Sequence, residues 1–309
     1  MIFFASLSAD FLIALCYYNR MKKILLVTNA FYITKRLEDQ YRMLKDAFAA
    51  RGFVVEHATN AELTCALTQS GAEFFRRLPE VALMWDKDIP LAKALELAGI
   101  KVFNSAKAIE LCDDKVLTHI ALAAAGVPFP TTYLIPMSYP NIGYKDTGFV
   151  DAILEKTGLP VVFKQARSSY GMGVKLLYTA EEVKKNVGET HEDMLLQCYV
   201  KESHGRDLRV NVMGGKAVCA VKRSSYGFCS NVLQGGKMTA AELTADAAKL
   251  AEAAANAVGA DFAGVDLLFK DGGYTVCEVN TSAHFGTLKE VTGINLAEVI
   301  AEYIDKKCF

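Results

Sequence analysis

Three oxygen-bearing side chains, Asp266, Glu278 and Asn280, are spaced so that they could share one cation. They lie in GVDLLFKDGGYTVCEVNTS, residues 264–282, where two runs rich in Val, Leu, Phe and Tyr flank KDGG and predict a β-hairpin. A three-residue loop of Asp271, Gly272 and Gly273 would pair Lys270 with Tyr274 and set Asp266 opposite Glu278. Side chains alternate along a strand, so Asn280 shares the face of Glu278. Like charges opposed across a sheet destabilise it. A hard cation such as Mg²⁺, which takes oxygen ligands, would remove that repulsion. The alternative is that one acid pairs with Lys270 or another surface base. Register decides the matter, because a two- or four-residue loop would turn Asp266 to the other face.

Other residues could handle anions. In VVFKQARSSYGMGVKLL, Lys164 ends an apolar strand and is followed by Ser168, Ser169, Gly171 and Gly173. Backbone N–H groups of such a loop can wrap phosphates beside a lysine point charge, although an ordinary hairpin has the same composition. In CDDKVLTHI, Asp113 and Asp114 suit a helix N-terminus, and Lys115 just after them opposes the helix dipole unless an anion docks there. Asp207 and Arg209 are two apart and share a strand face; Lys222, Arg223 and Asn231 follow before a double glycine. Surface ion pairs would account for any one of these. His119, His191, His204 and His284 have no nucleophile at a diagnostic spacing, and only His284 lies close to the acid face, four residues after Asn280.

The elements that must position these groups belong to a chain of 309 residues, 52% hydrophobic and 22% charged, with a formal net charge of -1. That length allows a large core in two or three lobes, and the charge balance gives no electrostatic case for nucleic acid. The eight cysteines, at positions 16, 65, 112, 198, 219, 229, 277 and 308, are scattered and form no C-x-x-C pair. Neither a zinc site nor a disulfide framework is suggested, and a reducing cytoplasmic setting is the simplest. In residues 1–20 the apolar run FLIALCYY is too short to span a bilayer, lacks a basic region before it and is preceded by Asp10. MKKILLVTNA then has the look of a natural start, so residues 1–20 are expected to be an extension outside the core.

From residue 21 to 104, strand patterns KKILLVT, FVVEHA, VALMWD and KVFNS alternate with helical patterns, which predicts a small doubly wound α/β lobe. The first strand is not followed by G-x-G-x-x-G, which argues against a dinucleotide site. Next come helices SAKAIELC and DDKVLTHIALAAAG, strand TTYLI, the turn-rich loop PMSYPNIGYKDTG, helix FVDAILEKTG, strand LPVVFK and the glycine loop. Strand VKLLY, helix AEEVKKNV and strand MLLQCYV lead to a hairpin over Gly214–Gly215. Helix AAELTADAAKLAEAAANAVG, the acid-bearing hairpin and helix LAEVIAEYIDKK complete the chain.

Taken together, the order of these signals over residues 113–282 resembles the ATP-grasp enzymes, and EVNTS followed by TGINLAEVI resembles their RimK-type glutamate ligases. The resemblance covers nearly all of 21–309. It implies a mixed α/β (α+β) chain in which an ATP-grasp fold follows a small doubly wound α/β domain. The implied divisions are an N-terminal domain at 21–104, a central lobe at 105–200 and a metal-bearing C-terminal lobe at 201–309.

Carried over residue by residue, the resemblance implies that Lys115 and Lys164 bind phosphates beneath a loop spanning Ser168, Ser169, Gly171 and Gly173. The stretch Gln197, Cys198, Tyr199 and Val200 would read the adenine edge, and Asp207 would contact ribose or the hinge. Asp266, Glu278 and Asn280 match the ligands of Mg²⁺, with Mn²⁺ as an alternative ion. Arg209 and Arg223, assisted by Asn231, would stabilise the transferred phosphoryl group or the acyl oxyanion. The implied activity is ATP-dependent joining of a carboxylate to an amine through an acylphosphate, on amino acid or peptide-like substrates, glutamate among them. A kinase or a non-ligating ATP-binding regulatory module is the alternative. No nucleic acid or membrane partner is expected, and homo-oligomers are common among such ligases. The chain departs from the family pattern at Cys198, where an acid is usual, and at AHFG after EVNTS, where Pro-Gly is usual. Loops 31–36, 138–148 and 283–286 are expected to line the pocket of the acceptor.

Overall fold

In a computed structural model, which describes residues 21–168, 171–230 and 236–309, the first strand, Lys23–Thr28, lies inside a four-stranded parallel sheet. Its neighbours are Val54–Thr59 on one side and Val81–Met84, then Lys101–Phe103, on the other. Both faces are covered, which is why the strand is apolar at successive positions. Leu25 and Val27 pack with Leu91, Leu95 and Ile109, whereas Ile24 and Leu26 pack with Leu44, Phe48, Ile300 and Ile304. The second set shows that the helix Leu296–Cys308 returns to this sheet from the far end of the sequence. It is fastened there by Lys22 to Asp305 and by Arg51 to Glu302 at 3.0 Å. Residues 1–20, expected to stand outside the core, lie outside the described residues.

Two antiparallel sheets carry the rest. One has the order Thr132–Leu134, Met194–Cys198, Val161–Gln165, Val174–Leu177. The other runs Lys237–Ala241, Lys216–Ser224, Arg206–Met213, Phe262–Lys270, Gly273–Asn280. A further hairpin, Cys65–Thr68 with Gly71–Phe74, was not legible as strands in the sequence. The expected helix from residue 240 begins later, at Ala245, where the Thr244 hydroxyl caps it. Residues 237–241 find a ladder partner in Lys216–Ser224 and extend as a strand instead. The fully buried Ala247, Ala251, Ala254 and Ala255 then let this helix lie close on the sheet.

The acid-bearing hairpin reaches the expected pairing by a different route. Its loop has two residues, Asp271 and Gly272, so Lys270 pairs with Gly273, and Tyr274 faces Phe269. Positive φ angles of 51° and 76° at this Asp-Gly pair are those of the tight turn such a dipeptide favours. By itself that loop would move Asp266 to the wrong face. The ladder shifts between Asp266 and Leu267, however, leaving Cys277 as one extra residue and restoring Asp266 opposite Glu278.

The first sheet is bolted to the third by Asn104, which is 2% exposed. Its Nδ2 donates to the carbonyls of Phe262 at 2.9 Å and Thr281 at 3.2 Å, and its Oδ1 accepts from the Phe262 N–H at 2.9 Å. Asn104→Ala strands those backbone groups in a dry interior. It is expected to lower unfolding free energy by about 2–4 kcal/mol in urea titrations, without changing the pairing partners of the strands.

Candidate functional site

A cavity of about 400 Å³ opens where the two antiparallel sheets and the N-terminal lobe meet. Its floor is one face of the five-stranded sheet. Register places Asp207 opposite Arg223, Arg209 opposite Asp266, and Asp266 opposite Glu278, so a row of charges crosses the strands. Arg209 donates from Nε to Asp266 Oδ1 at 2.6 Å and from Nη2 to Oδ2 at 2.8 Å. Arg223 reaches Asp266 Oδ2 at 2.9 Å and is also bound by both oxygens of Asp207, which accepts from Ser230 at 2.5 Å as well. Burial alone would raise the Asp266 pKa; Arg209 and Arg223 outweigh it and hold the carboxyl below its ordinary value.

This clarifies the opposed acids. Two guanidiniums neutralise Asp266, which is 5% exposed, while Glu278 turns to Lys115, with Nζ to Oε1 at 3.5 Å. Asn280 continues the face of Glu278, and its buried Nδ2 has no hydrogen-bond partner. Opposite it is Gly264, where an added Cβ would come within 2.5 Å of the Ala283 Cβ and 3.5 Å of Arg209, so only glycine leaves room for both. Among the described residues no group of three or more His, Cys, Asp or Glu could hold a metal ion. Glu278 and the side-chain carbonyl of Asn280 offer oxygen donors on this face, with Asp266 beside them engaged by the two guanidiniums, and oxygen donors suit a hard cation.

Above the floor, two lysines converge. Lys115 is the first residue of the helix Lys115–Ala124, whose cap Asp114 accepts from the N–H groups of Val116 at 2.9 Å and Leu117 at 3.1 Å. Its Nζ donates to the Ser168 carbonyl at 2.6 Å and hydroxyl at 3.2 Å. Lys164, on the strand Val161–Gln165, is 5% exposed, and its ammonium donates to Cys277 Sγ at 3.7 Å. A thiol is a weak acceptor, so this buried charge is left undercompensated. Gly171 also lines the cavity; Gly173, expected there, does not, and its carbonyl accepts from the Gln165 N–H at 2.9 Å. Ser169 and Asn231, both expected in the site, lie outside the described residues.

The stretch Gln197–Val200 borders the same cavity, as do the apolar side chains of Val162, Leu268 and Phe228. Gln197 itself is turned into the protein. Its amide nitrogen donates to Thr132 Oγ1 and to His119 Nε2, each at 2.8 Å, and the His119 Nδ1–H donates to the Lys115 carbonyl at 2.6 Å. Burial drives the His119 pKa down to about 4, so the ring is neutral at pH 7. In the unfolded chain it titrates near the ordinary histidine value of 6.5, so between that pH and about 4 the unfolded state takes up a proton that the folded state does not. Stability therefore falls as the pH drops through this window. Between pH 7 and pH 5 the wild-type protein is expected to lose about 2 kcal/mol more than His119→Gln, as read by urea unfolding at both pH values.

Sequence reasoning missed four contributors. Cys277 faces the cavity because of the bulge, Leu268 and Val162 line it, and Gln40 comes from a helix whose pattern marks only its apolar face. Of the loops expected at the acceptor end, Tyr32, Thr34, Arg36, Ala283 and His284 do line the cavity. No residue of 138–148 does; Ser138 and Tyr144 instead tie that loop to itself and to the Pro136 carbonyl. Asp207 is engaged beneath Arg223 rather than presented to solvent, because register sets the two opposite.

Comparison with known proteins places this geometry. The model of the RimK-like ATP-grasp domain matches residues 112–304. The chain is 34% identical over 232 residues to N-acetylaspartylglutamate synthase A of Homo sapiens, an alignment covering 74% of this chain and 58% of that protein. It is also 34% identical over 218 residues to the "Probable alpha-L-glutamate ligase" of Legionella pneumophila (strain Corby), covering 69% of this chain and 70% of that one. Thus the chain spans a little under three fifths of the length of the human synthase. Among solved structures, the RimK domain protein ATP-grasp from Sphaerobacter thermophilus DSM 20745 superposes with a TM-score of 0.68 at 21% sequence identity, over 91% of this chain and 99% of that one, a likeness of fold. No helix among the described residues is long and apolar enough to cross a membrane.

Proposed function

The chain belongs to the RimK-like ATP-grasp family, and from that premise we propose that it joins a carboxylate to an amine at the expense of ATP. The observation that carries this reading is one cavity holding both an undercompensated buried ammonium, Lys164, and an opposed acid pair. Such a cavity suits a ligand that is itself anionic and accompanied by a divalent cation.

ATP is a substrate here. Its purine would lie beside Val162 and Leu268 with its edge against the backbone of Gln197–Val200, and its phosphates would lie between Lys115 and Lys164, near Ser168 and Gly171. Glu278, Asn280 and Asp266 would hold Mg²⁺, or Mn²⁺ in its place, and that ion would supply charge neutralisation to the phosphates. Arg209 and Asp266 then form a matched reserve, guanidinium for phosphoryl oxygen and carboxylate for cation. Asp207 keeps Arg223 aimed across the sheet. A substrate carboxylate attacks the γ-phosphate to give an acylphosphate and ADP, and an amine displaces phosphate to leave an amide. Positioning and electrostatics in a partly dry cleft supply the rate, with no protein nucleophile needed.

The test is incubation with Mg-ATP, pooled carboxylates and pooled amino acids, glutamate included. Ligation predicts ADP and free phosphate that depend on the amine. Phosphate retained on an organic product would instead identify a kinase, and ATP binding without turnover a regulatory module.

A further inference from the structure

The floor of the cavity balances its own charge. Asp207 holds Arg223, Arg223 and Arg209 hold Asp266, and Lys115 answers Glu278 at 3.5 Å. Each carboxylate of the floor is thus met by a base, and a divalent cation taking oxygens on this face has to replace one. The bases are not equally held. Arg223 has a side chain 9% exposed and is gripped by both oxygens of Asp207 as well as by Asp266. Arg209 is more open, at 16%, and is bound by Asp266 and by no other carboxylate among the described residues. Its stem lies against Gly264, where an added Cβ would come within 3.5 Å of its Cδ and Nε, and Gly264 is the ladder partner of Asn280. The guanidinium therefore stands among the oxygen donors, and it lines the cavity.

The two oxygens of Asp266 are engaged differently. Oδ1 accepts from Arg209 Nε at 2.6 Å, whereas Oδ2 accepts from Arg209 Nη2 at 2.8 Å and also meets Arg223 Nη2 at 2.9 Å. Departure of Arg209 frees Oδ1 and leaves Oδ2 on Arg223, so the carboxylate stays anchored and partly neutralised. A guanidinium and a divalent cation compete for the same oxygen, and a buried pair separates at low cost only when each charge finds a new partner. For Arg209 that partner is a phosphoryl oxygen, because its planar fork matches phosphate as well as carboxylate.

Resting on the ligase reading, we infer that Arg209 is an exchangeable counter-ion of Asp266: it occupies Oδ1 until a divalent cation takes that oxygen, and it then turns to the phosphoryl group. The exchange ties the release of a charge-stabilising guanidinium to the loading of the cation. Arg209 opposes the cation and assists the phosphoryl group, so its removal acts on the two with opposite signs.

Arg209→Gln removes the competitor; Arg209→Lys keeps the charge and gives up the forked pair. The probe is Mn²⁺ alone, without nucleotide, its free concentration read by electron paramagnetic resonance while circular dichroism verifies the fold. Arg209→Gln is expected to tighten Mn²⁺ binding roughly tenfold or more, the scale of removing one like charge a few ångströms away, and Arg209→Lys about threefold. Turnover with Mg-ATP and the pooled substrates is expected to fall about a hundredfold in Arg209→Gln. Mn²⁺ affinity that is unchanged or weaker in Arg209→Gln, Mn²⁺ binding to neither protein, or near-wild-type turnover of the variant overturns the inference. Tightening in Arg209→Gln with Arg209→Lys at the wild-type value overturns it too, because a diffuse positive field alone would give that result. A measurement on the wild-type protein covers a Gln variant that fails to fold. The Nε–H proton of Arg209, identified by its absence in Arg209→Lys, is expected to give a slowly exchanging NMR signal that Mg²⁺ shifts or removes; a signal unmoved in excess Mg²⁺ overturns the exchange. Hydroxylamine trapping separates the two claims. If no carboxylate yields a hydroxamate with Mg-ATP, the ligase reading fails, and the Mn²⁺ titration and the Nε–H signal still decide for or against the exchange.

Discussion

Glu278→Ala is expected to reduce turnover at saturating Mg-ATP by roughly a thousandfold or more, the order of effect seen when a group that stabilises developing charge is removed, while leaving the fold intact. The asymmetry comes from where the side chain stands. Glu278 is half-buried on the cavity side, and its partner Lys115 keeps both of its contacts to Ser168 when the carboxylate is gone. The strand pair also loses a like-charged neighbour opposite Asp266, so stability is expected to hold or rise slightly. Parallel measurement of melting temperature and of phosphate release checks both halves. Near-normal turnover of the variant at low Mg²⁺ would remove Glu278 from the metal site.

Asp266→Ala is expected, unlike Glu278→Ala, to destabilise the protein by about 3–5 kcal/mol, because breaking a buried ion pair leaves its partners charged and unpaired. Arg209 and Arg223 both lose an acceptor; Arg223 retains Asp207, whereas no other carboxylate binds Arg209 among the described residues. The sign of the pH dependence follows from the depressed Asp266 pKa. Its contribution is fully present above the ordinary aspartate value of 3.8 and is lost as the pH falls through the lower folded value. Urea unfolding of Asp266→Ala at pH 7 measures the effect. A change below about 1 kcal/mol, the range of exposed pairs, would show that the arginines do not depend on this carboxylate. Two acids facing each other across one ladder rung thus separate by stability, which Asp266→Ala loses and Glu278→Ala keeps, whereas turnover falls in both.

The sequence made some of this legible and hid the rest for physical reasons. The buried strand Lys23–Thr28 was readable because both of its faces are covered, and the cap at Asp114 because a helix start has local chemistry. The opposition of Asp266 and Glu278 was read correctly through an incorrect loop, since a shorter turn and an extra residue at Cys277 have the same parity as a longer turn without one. What could not be read was partnership across distance. Nothing near Asp266 in the chain announces that Arg209 and Arg223 will hold it, because they arrive on strands ordered by the sheet rather than by sequence. Gln40 was hidden likewise, on a helix whose pattern reports only its own apolar face.

The helix Leu296–Cys308 covers one side of the first sheet, against Leu44, Phe48 and the strand residues Ile24 and Leu26. During synthesis, that flank of the opening lobe stays bare until some 270 further residues have left the ribosome. Folding outward from the amino end therefore cannot finish there. A nascent chain of this topology needs shielding of the waiting apolar surface, and a stalled or clipped product would expose it to aggregation.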